Sequence, residues 1–402
     1  MKYLPIPIAL LGVGKPLPVD VWSDTGQLLL RKGQPIVSEQ HRDKLYAFKA
    51  CTVLSDGLAW QRAYERMVHD RLLQGADLRE LAQASMPSEI LEADYAAGEP
   101  QRGDWLDLQQ TLRGILYRGG LAIQPLARLK GLEEKVLSLL QQDADASLFA
   151  LFQALADSRL GYCATHALLC AVVCELTAAK LGLSGPQRKP LIAAALSMNL
   201  GMAREQDVMA RQSTPINDWQ RTLVAGHAAR SEEMLRELGV SDPLQLDLVR
   251  WHHVPEAPLG LPANQSSRQL LHLADVFIAR TAARATRSAQ SPVAAVKSMV
   301  FGGGAELGLG SAMAQAVGFY PPGSYVKLVN GEIAVAVQRG ERANTPWVIS
   351  VVGSDAMPLS LYQCKSTADA RHAISAAVNS ENIKVVVHAG RVKKARERIP
   401  KT

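Results

Sequence analysis

Two apolar, alanine-rich stretches limit what this chain can fold into. His166 to Ala179 reads HALLCAVVCELTAA, and Leu191 to Met202 reads LIAAALSMNLGM. Small side chains on a closely packing face favour helix on helix, and Gly182 with the Gly185-Pro186 pair separates the two stretches. Hydrophobic residues make up 48 % of the sequence but aromatic ones only 5 %, a balance that suits packed helices better than a β-sandwich. A length of 402 residues leaves room for a large helical core and one or two smaller units.

The same numbers exclude several classes. The His166 to Ala179 stretch is interrupted by Glu175 and falls short of the roughly 20 apolar residues a bilayer crossing needs, so no membrane span is expected. No charged leader runs into an apolar cleavage segment, and a cytoplasmic protein is the expectation. The five cysteines, three of them at Cys163, Cys170 and Cys174, neither pair evenly nor follow zinc-ligand spacing, and they read as buried thiols in a reducing compartment. Much of the net charge of +6 lies in the final RVKKARERIPK, with Arg391, Lys393, Lys394, Arg396, Arg398 and Lys401. That segment reads as a solvated basic tail, and nucleic acid is not the expected partner.

Along the chain, VDVWSD and QLLLRKG flank Thr25-Gly26 and predict a β-hairpin. Helical spacing follows from Trp60 to about Ala84, and the polar, Pro- and Gly-bearing run after it places a linker at 85–103. The expected domains are a β-hairpin module plus helix at 1–84, a helical domain at 104–317, and a β appendage with the basic tail at 318–402. Within the helical domain, helices are expected near 161–182, 188–202, 203–212, 217–238, 243–253, 266–286, 291–299 and 305–317. Asn330-Gly331 between alternating apolar residues predicts a second hairpin, with further strands near 346–352 and 358–364. Gly302-Gly303-Gly304 is followed by no Lys-Ser/Thr and does not match a phosphate loop. Cys163 and His166 lie one turn apart, where an apolar helix makes a buried thiol a better reading than a nucleophile.

Four stretches together resemble the HD-GYP family of metal-dependent cyclic di-GMP phosphodiesterases: LPVDVWSDTGQLLLRKGQPI, AALSMNLGM, HHVPEAPLGLP and YPPGSYVKLVNGEIAV. The resemblance implies a mainly α fold, an HD-GYP-type helical bundle with a small β-containing N-terminal domain and a short C-terminal β appendage. The family's central pattern is like AALLHDIGK, so Met198 stands in place of the histidine, Asn199 of the aspartate and Met202 of the lysine. The other stations that the resemblance implies are metal ligands His166, His227, His252, His253 and Asp275. The signature loop of the family resembles HHExxDGxGYP. Here His252, His253, Gly260 and Pro262 remain, while Val254, Ala257, Pro258 and Leu261 replace the acid, the Asp-Gly turn and the tyrosine. Arg284 and Arg287 stand where the family carries basic residues that clamp a nucleotide phosphate; two solvated arginines are the plainer reading.

What the resemblance implies for chemistry turns on the altered doublet. The aspartate of such a doublet bridges two metals, and a neutral amide cannot offset the repulsion of two dications. Met198 offers a soft thioether poorly suited to manganese or iron. A binuclear centre is therefore not expected, and the site residues allow a single Fe, Mn or Zn ion. The reading is a degenerate, non-catalytic regulator or binding module in bacterial cyclic di-GMP signalling, with cyclic di-GMP as the ligand and proteins, including a second copy of the chain, as partners. Two alternatives stay open: an active metal-dependent phosphodiesterase with a rebuilt site, and a scaffold whose histidines are satisfied by backbone partners.

Overall fold

The computed structural model describes residues 3–73, 80–81, 84–90, 105–157, 160–300, 306–383 and 385–400. The Gly302-Gly303-Gly304 run lies outside them. The chain divides into two compact units, Met1–Gly114 with Leu121–Gln124, and Ile115–Gly120 with Pro125–Thr402.

The first unit holds a four-stranded antiparallel sheet in the order β1-β4-β2-β3, with β1 at Tyr3–Pro5, β2 at Val21–Trp22, β3 at Leu28–Leu30 and β4 at Cys51–Val53. The predicted hairpin is β2 and β3. Its turn closes by a hydrogen bond from the Ser23 amide to the Gln27 carbonyl at 2.8 Å, with Gly26 at φ +85°, where side chains are disfavoured. Val19, Val21, Leu30, Ile36 and Trp60 form the core. Met86 and Ile90 join that core, and the Trp60 indole donates to the Pro87 carbonyl at 2.8 Å. The first part of the expected linker is thus packed structure, its buried apolar pair outweighing its polar neighbours; residues 91–104 lie outside the described residues.

The second unit is mainly helical, and its central element is α6, Tyr162–Lys180, counted after α1 (Glu39–Ala47), α2 (Leu54–Leu73), α3 (Trp105–Arg118), α4 (Pro125–Gln142) and α5 (Ala144–Ala156). At 19 residues α6 is long and apolar enough to cross a bilayer by length and composition, longer than the apolar run suggested, yet 83 % of its apolar window is buried inside the protein. It packs on α5 and on the helices that follow: α7 (Gly185–Ser197), α8 (Ala203–Arg211), α11 (Gln265–Thr281) and α13 (Glu306–Val317). Between these lie α9 (Asp218–Glu237), α10 (Pro243–Trp251) and α12 (Pro292–Val300). Starts are set by ordinary caps: Ser184 with Gln187, and Asn217 with Gln220, form capping boxes.

Two helices end earlier than the periodicity predicts. α7 stops at Ser197, and Leu200–Met202 form a 3-10 turn instead of a last helical turn. α11 stops at Thr281, so Arg284 and Arg287 lie beyond the helix. Apolar periodicity continues through both places, but hydrophobic spacing marks burial rather than backbone conformation.

The C-terminal sheet has five antiparallel strands in the order β8-β7-β6-β5-β9: Tyr325–Leu328, Ile333–Gln338, Trp347–Val352, Cys364–Ser366 and Ile374–Val378 as β5 to β9. The predicted Asn330-Gly331 hairpin joins β5 to β6, with Gly331 at φ +86°. The strand expected at 358–364 is reduced to a single bridge from Pro358 to Val352 and a start at Cys364, and β9 carries no apolar alternation that would have marked it. Phe149 of α5 packs into the same core as Tyr325, Val335, Ile349 and Val351. The close approach requires Gly323, where a Cβ would stand 2.7 Å from that of Phe152. The basic segment is not a free tail. Ala389–Arg396 forms α14, Val392, Ala395 and Ile399 are buried, and both terminal nitrogens of Arg396 donate to Asp143 at 2.9 Å.

Candidate metal centre

Four helices of the second unit bring four imidazoles and a carboxylate into two adjoining groups. His166 lies in the first turns of α6, whose amino terminus receives Asp207: the Cys163 amide donates to its carboxylate at 2.6 Å. His227 is in the middle of α9. His252 follows the last residue of α10, and Asp275 faces inward from α11. His166, His227 and His252 are almost wholly buried, whereas 43 % of the His253 side chain is exposed, which leaves one side open to solvent.

The ring nitrogens are oriented by backbone. His227 Nδ1–H donates to the Val224 carbonyl at 2.6 Å, and His252 Nδ1–H donates to the Val249 carbonyl at 2.8 Å. Each neutral ring therefore carries its lone pair on Nε2. Those two Nε2 atoms stand 3.3 Å apart, and His253 Nε2 is also 3.3 Å from His227 Nε2. Burial is the main cause that lowers the pKa of all three, that of His252 to about 3, with neighbouring imidazoles adding to it. At neutral pH two acceptor lone pairs thus face one another without a proton between them. Electrostatically this is poor for an empty pocket and well suited to a cation, because a second hydrogen bond from each ligand ring to a carbonyl is what orients metal-binding histidines. His227, His252 and His253 can hold a metal ion through these three nitrogens.

A second group adjoins the first. His166 Nε2–H donates to Asp275 Oδ1 at 2.8 Å, while Asp275 Oδ2 lies 4.0 Å from His253 Nδ1. Burial would raise the Asp275 pKa, but the His166 hydrogen bond and electrostatic attraction to the surrounding imidazoles hold it well below the usual carboxylate range. Tyr162, one turn before His166, donates to its Nδ1 at 2.9 Å, and Arg284 reaches the Tyr162 oxygen at 3.4 Å. Cys170, one turn after, places its Sγ 3.5 Å from His166 Nε2.

The predicted residues do not all meet in one place. The five expected ligands fall into two neighbouring sets, His227 with His252 and His253, and His166 with Asp275. Arg284 joins the second set through Tyr162, which is possible because α11 ends at Thr281. Arg287 does not join it: its guanidinium donates to the Ala279 carbonyl at 2.6 Å, and its backbone pairs with that of Arg284. Met198 is fully buried in the core and Met202 nearly so. Asn199 is 3 % exposed, and its amide nitrogen has no hydrogen-bond partner. Gly201 in the same turn lies against α9 at His227, where a Cβ would stand 2.8 Å from the His227 carbonyl oxygen, so only glycine permits this approach.

Three contributors escaped the sequence reading. His272 donates to the His252 carbonyl at 2.9 Å and so steadies the His252-His253 pair; its spacing of three before Asp275 was the available signal. Cys170 is four residues after His166, the spacing that puts side chains on one helix face, while Cys163, three residues before it, is the other thiol within a turn of that histidine. Arg268 is the third. Buried at 2 % exposure, it donates to Asp247 and the Leu261 carbonyl at 2.8 Å and to the Pro255 carbonyl at 2.9 Å. Gly260 makes room for it, since a Cβ there would lie 2.6 Å from the guanidinium carbon.

No protein-family model matches this chain. A search of curated proteins gives no match either. Among solved structures, an HDGYP protein from Bdellovibrio bacteriovorus is similar over 78 % of this chain and 98 % of its own, with a TM-score of 0.43 and 13 % identity.

Proposed function

We propose that this chain is a degenerate HD-GYP-like protein of the bacterial cytoplasm: a metal-binding helical domain that serves cyclic di-GMP signalling as a regulator or binding module without hydrolysing the dinucleotide. The observation that carries this reading is a contrast within one centre. The imidazoles of His227 and His252 point paired lone pairs at each other at 3.3 Å, as a metal site requires, while the doublet position holds a buried thioether and a neutral amide at Met198 and Asn199.

A divalent ion on His227, His252 and His253 would supply a Lewis acid able to polarise a phosphate oxygen. His253, open to solvent, is the ligand nearest an arriving anion. Arg284, at the Tyr162 oxygen, would add positive charge beside the His166–Asp275 pair. Nothing in the doublet turn supplies the anion that would hold a second dication beside the first.

The solvent opening also favours a second reading, an active phosphodiesterase with a rebuilt site. Metal analysis of the purified protein, calorimetry with cyclic di-GMP, and turnover assays in manganese and iron decide between them. The proposal expects bound metal, binding heat and no linear product. Turnover that disappears in His253→Ala would establish the second reading instead. Neither metal nor heat would leave a scaffold.

A further inference from the structure

We infer that Cys170 is a metal ligand, and that with His166 and Asp275 it forms a thiolate-bearing pocket for an ion of the zinc class, separate in its ligand set from the three-histidine pocket. The inference rests on the metal-centre reading above and specifies its chemistry.

The geometry comes from helix periodicity. Cys170 follows His166 by four residues on α6, so its Sγ and His166 Nε2 point to the same side, 3.5 Å apart. Asp275 Oδ1 lies 2.8 Å from the same Nε2, and the three ligand atoms lie within 4.8 Å of one another. Zinc bonds of about 2.0 Å to nitrogen or oxygen and about 2.3 Å to sulfur imply ligand separations of roughly 3.3 to 3.6 Å around a tetrahedron. The Cys170–His166 spacing already has that value. The His166–Asp275 pair, now joined by a proton, has to open by about half an ångström when a cation takes the proton's place.

Tyr162 allows that exchange. In the hydrogen-bonded state Tyr162 O–H donates to His166 Nδ1 and His166 Nε2–H donates to Asp275. For Nε2 to offer its lone pair to a metal, the ring would carry its one proton on Nδ1 instead. Nδ1–H would then donate to the Tyr162 oxygen, which stays a neutral phenol with its own hydrogen rotated away from the ring, as that oxygen already accepts from Arg284. The Sγ proton leaves to bulk water. The thiolate and the Asp275 carboxylate then offset the dication with two negative charges, in a chain whose doublet position offers only the neutral amide of Asn199. A soft sulfur ligand selects zinc or cobalt over manganese.

Cobalt(II) titration of the full-length protein tests this by absorption. The intact protein is expected to show a near-ultraviolet thiolate-to-cobalt charge-transfer band. Cys170→Ser and Cys170→Ala are expected to lose it, with cobalt d–d bands from the histidine pocket remaining. Cys174→Ser and His252→Ala are expected to keep it. Zinc affinity of Cys170→Ser should fall by about tenfold or more, the lower end of what a lost supporting group costs a metal site, with manganese affinity unchanged. Cobalt d–d bands without a charge-transfer band in the intact protein would overturn the inference while leaving the metal-centre reading in place, whether or not the variants fold. Loss of the charge-transfer band in His252→Ala would overturn the separate pocket. No cobalt bound at all would overturn both.

Discussion

Two segments of the helical unit lie beside the candidate centre, and they are held by different forces. The loop from Val254 to Leu261 is held by polar groups. Arg268 and Asp247 form a buried ion pair at 2.8 Å, Asp247 also receives the Leu261 amide at 2.7 Å and the Asn264 amide at 2.9 Å, and Gln265 and Gln269 donate to Glu256. The turn from Met198 to Met202 is held largely by apolar packing, with Met198, Leu200 and Met202 buried; the Met198 and Met202 amides bond locally to the Ala194 and Asn199 carbonyls, and the Gly201 amide donates to Ser231 Oγ on α9 at 2.9 Å. A buried ion pair does little for net stability but ties the chain to one geometry, because any other geometry strands a charge. Apolar packing stabilises without fixing where a ligand atom points. The loop thus keeps the backbone beside His252 and His253 in place through polar ties, whereas the turn adds buried apolar side chains to the core.

The sharpest way to break this contrast is Arg268→Ala. It strands Asp247 in a buried site and should cost about 3–5 kcal/mol of unfolding free energy, read by urea denaturation, together with metal occupancy of the histidine pocket. A loss below 1 kcal/mol would mean that the loop is held by its prolines instead. Asn199→Asp probes the turn. A carboxylate at a position 3 % exposed should destabilise the metal-free protein by about 1–3 kcal/mol, the scale for an unsatisfied buried group. Added metal should recover part of that loss, beyond any stabilisation it gives the parent protein. Equal metal effects on the two proteins would place the turn outside the centre.

A third test concerns a background that both measurements share. Burial raises the Glu133 pKa from 4.5 to about 7, against the opposing charges of Lys189 and Lys130. The folded state then binds more protons than the unfolded state between those values, so this group makes stability fall as pH rises from about 4.5 to about 7. Glu133→Gln should remove that slope, and an unchanged stability–pH curve would show that Glu133 titrates normally.

Much of the architecture was readable in advance. Alanine-rich stretches and caps announced α6, α7 and α9, and Thr25-Gly26 and Asn330-Gly331 announced both hairpins, because these signals are local and act through backbone conformation. The ends of α7 and α11 were not readable, since the apolar positions that continue past them pack against other elements. The same holds for α14: a run of lysines and arginines hides Val392 and Ala395, which find their partners only on the finished sheet.

For the candidate site the division follows the same line. The order and type of its residues, His166, His227, His252, His253 and Asp275, were present in the sequence, and so were Met198 and Asn199. Only the tertiary structure decided that these residues form two neighbouring groups, that carbonyls of Val224 and Val249 aim the lone pairs, that Arg284 faces Tyr162 while Arg287 turns to Ala279, and that Cys170 stands beside His166. Residue type sets which bonds a side chain can make. Helix ends and the rotation of each helix against its neighbours set which of those bonds it meets.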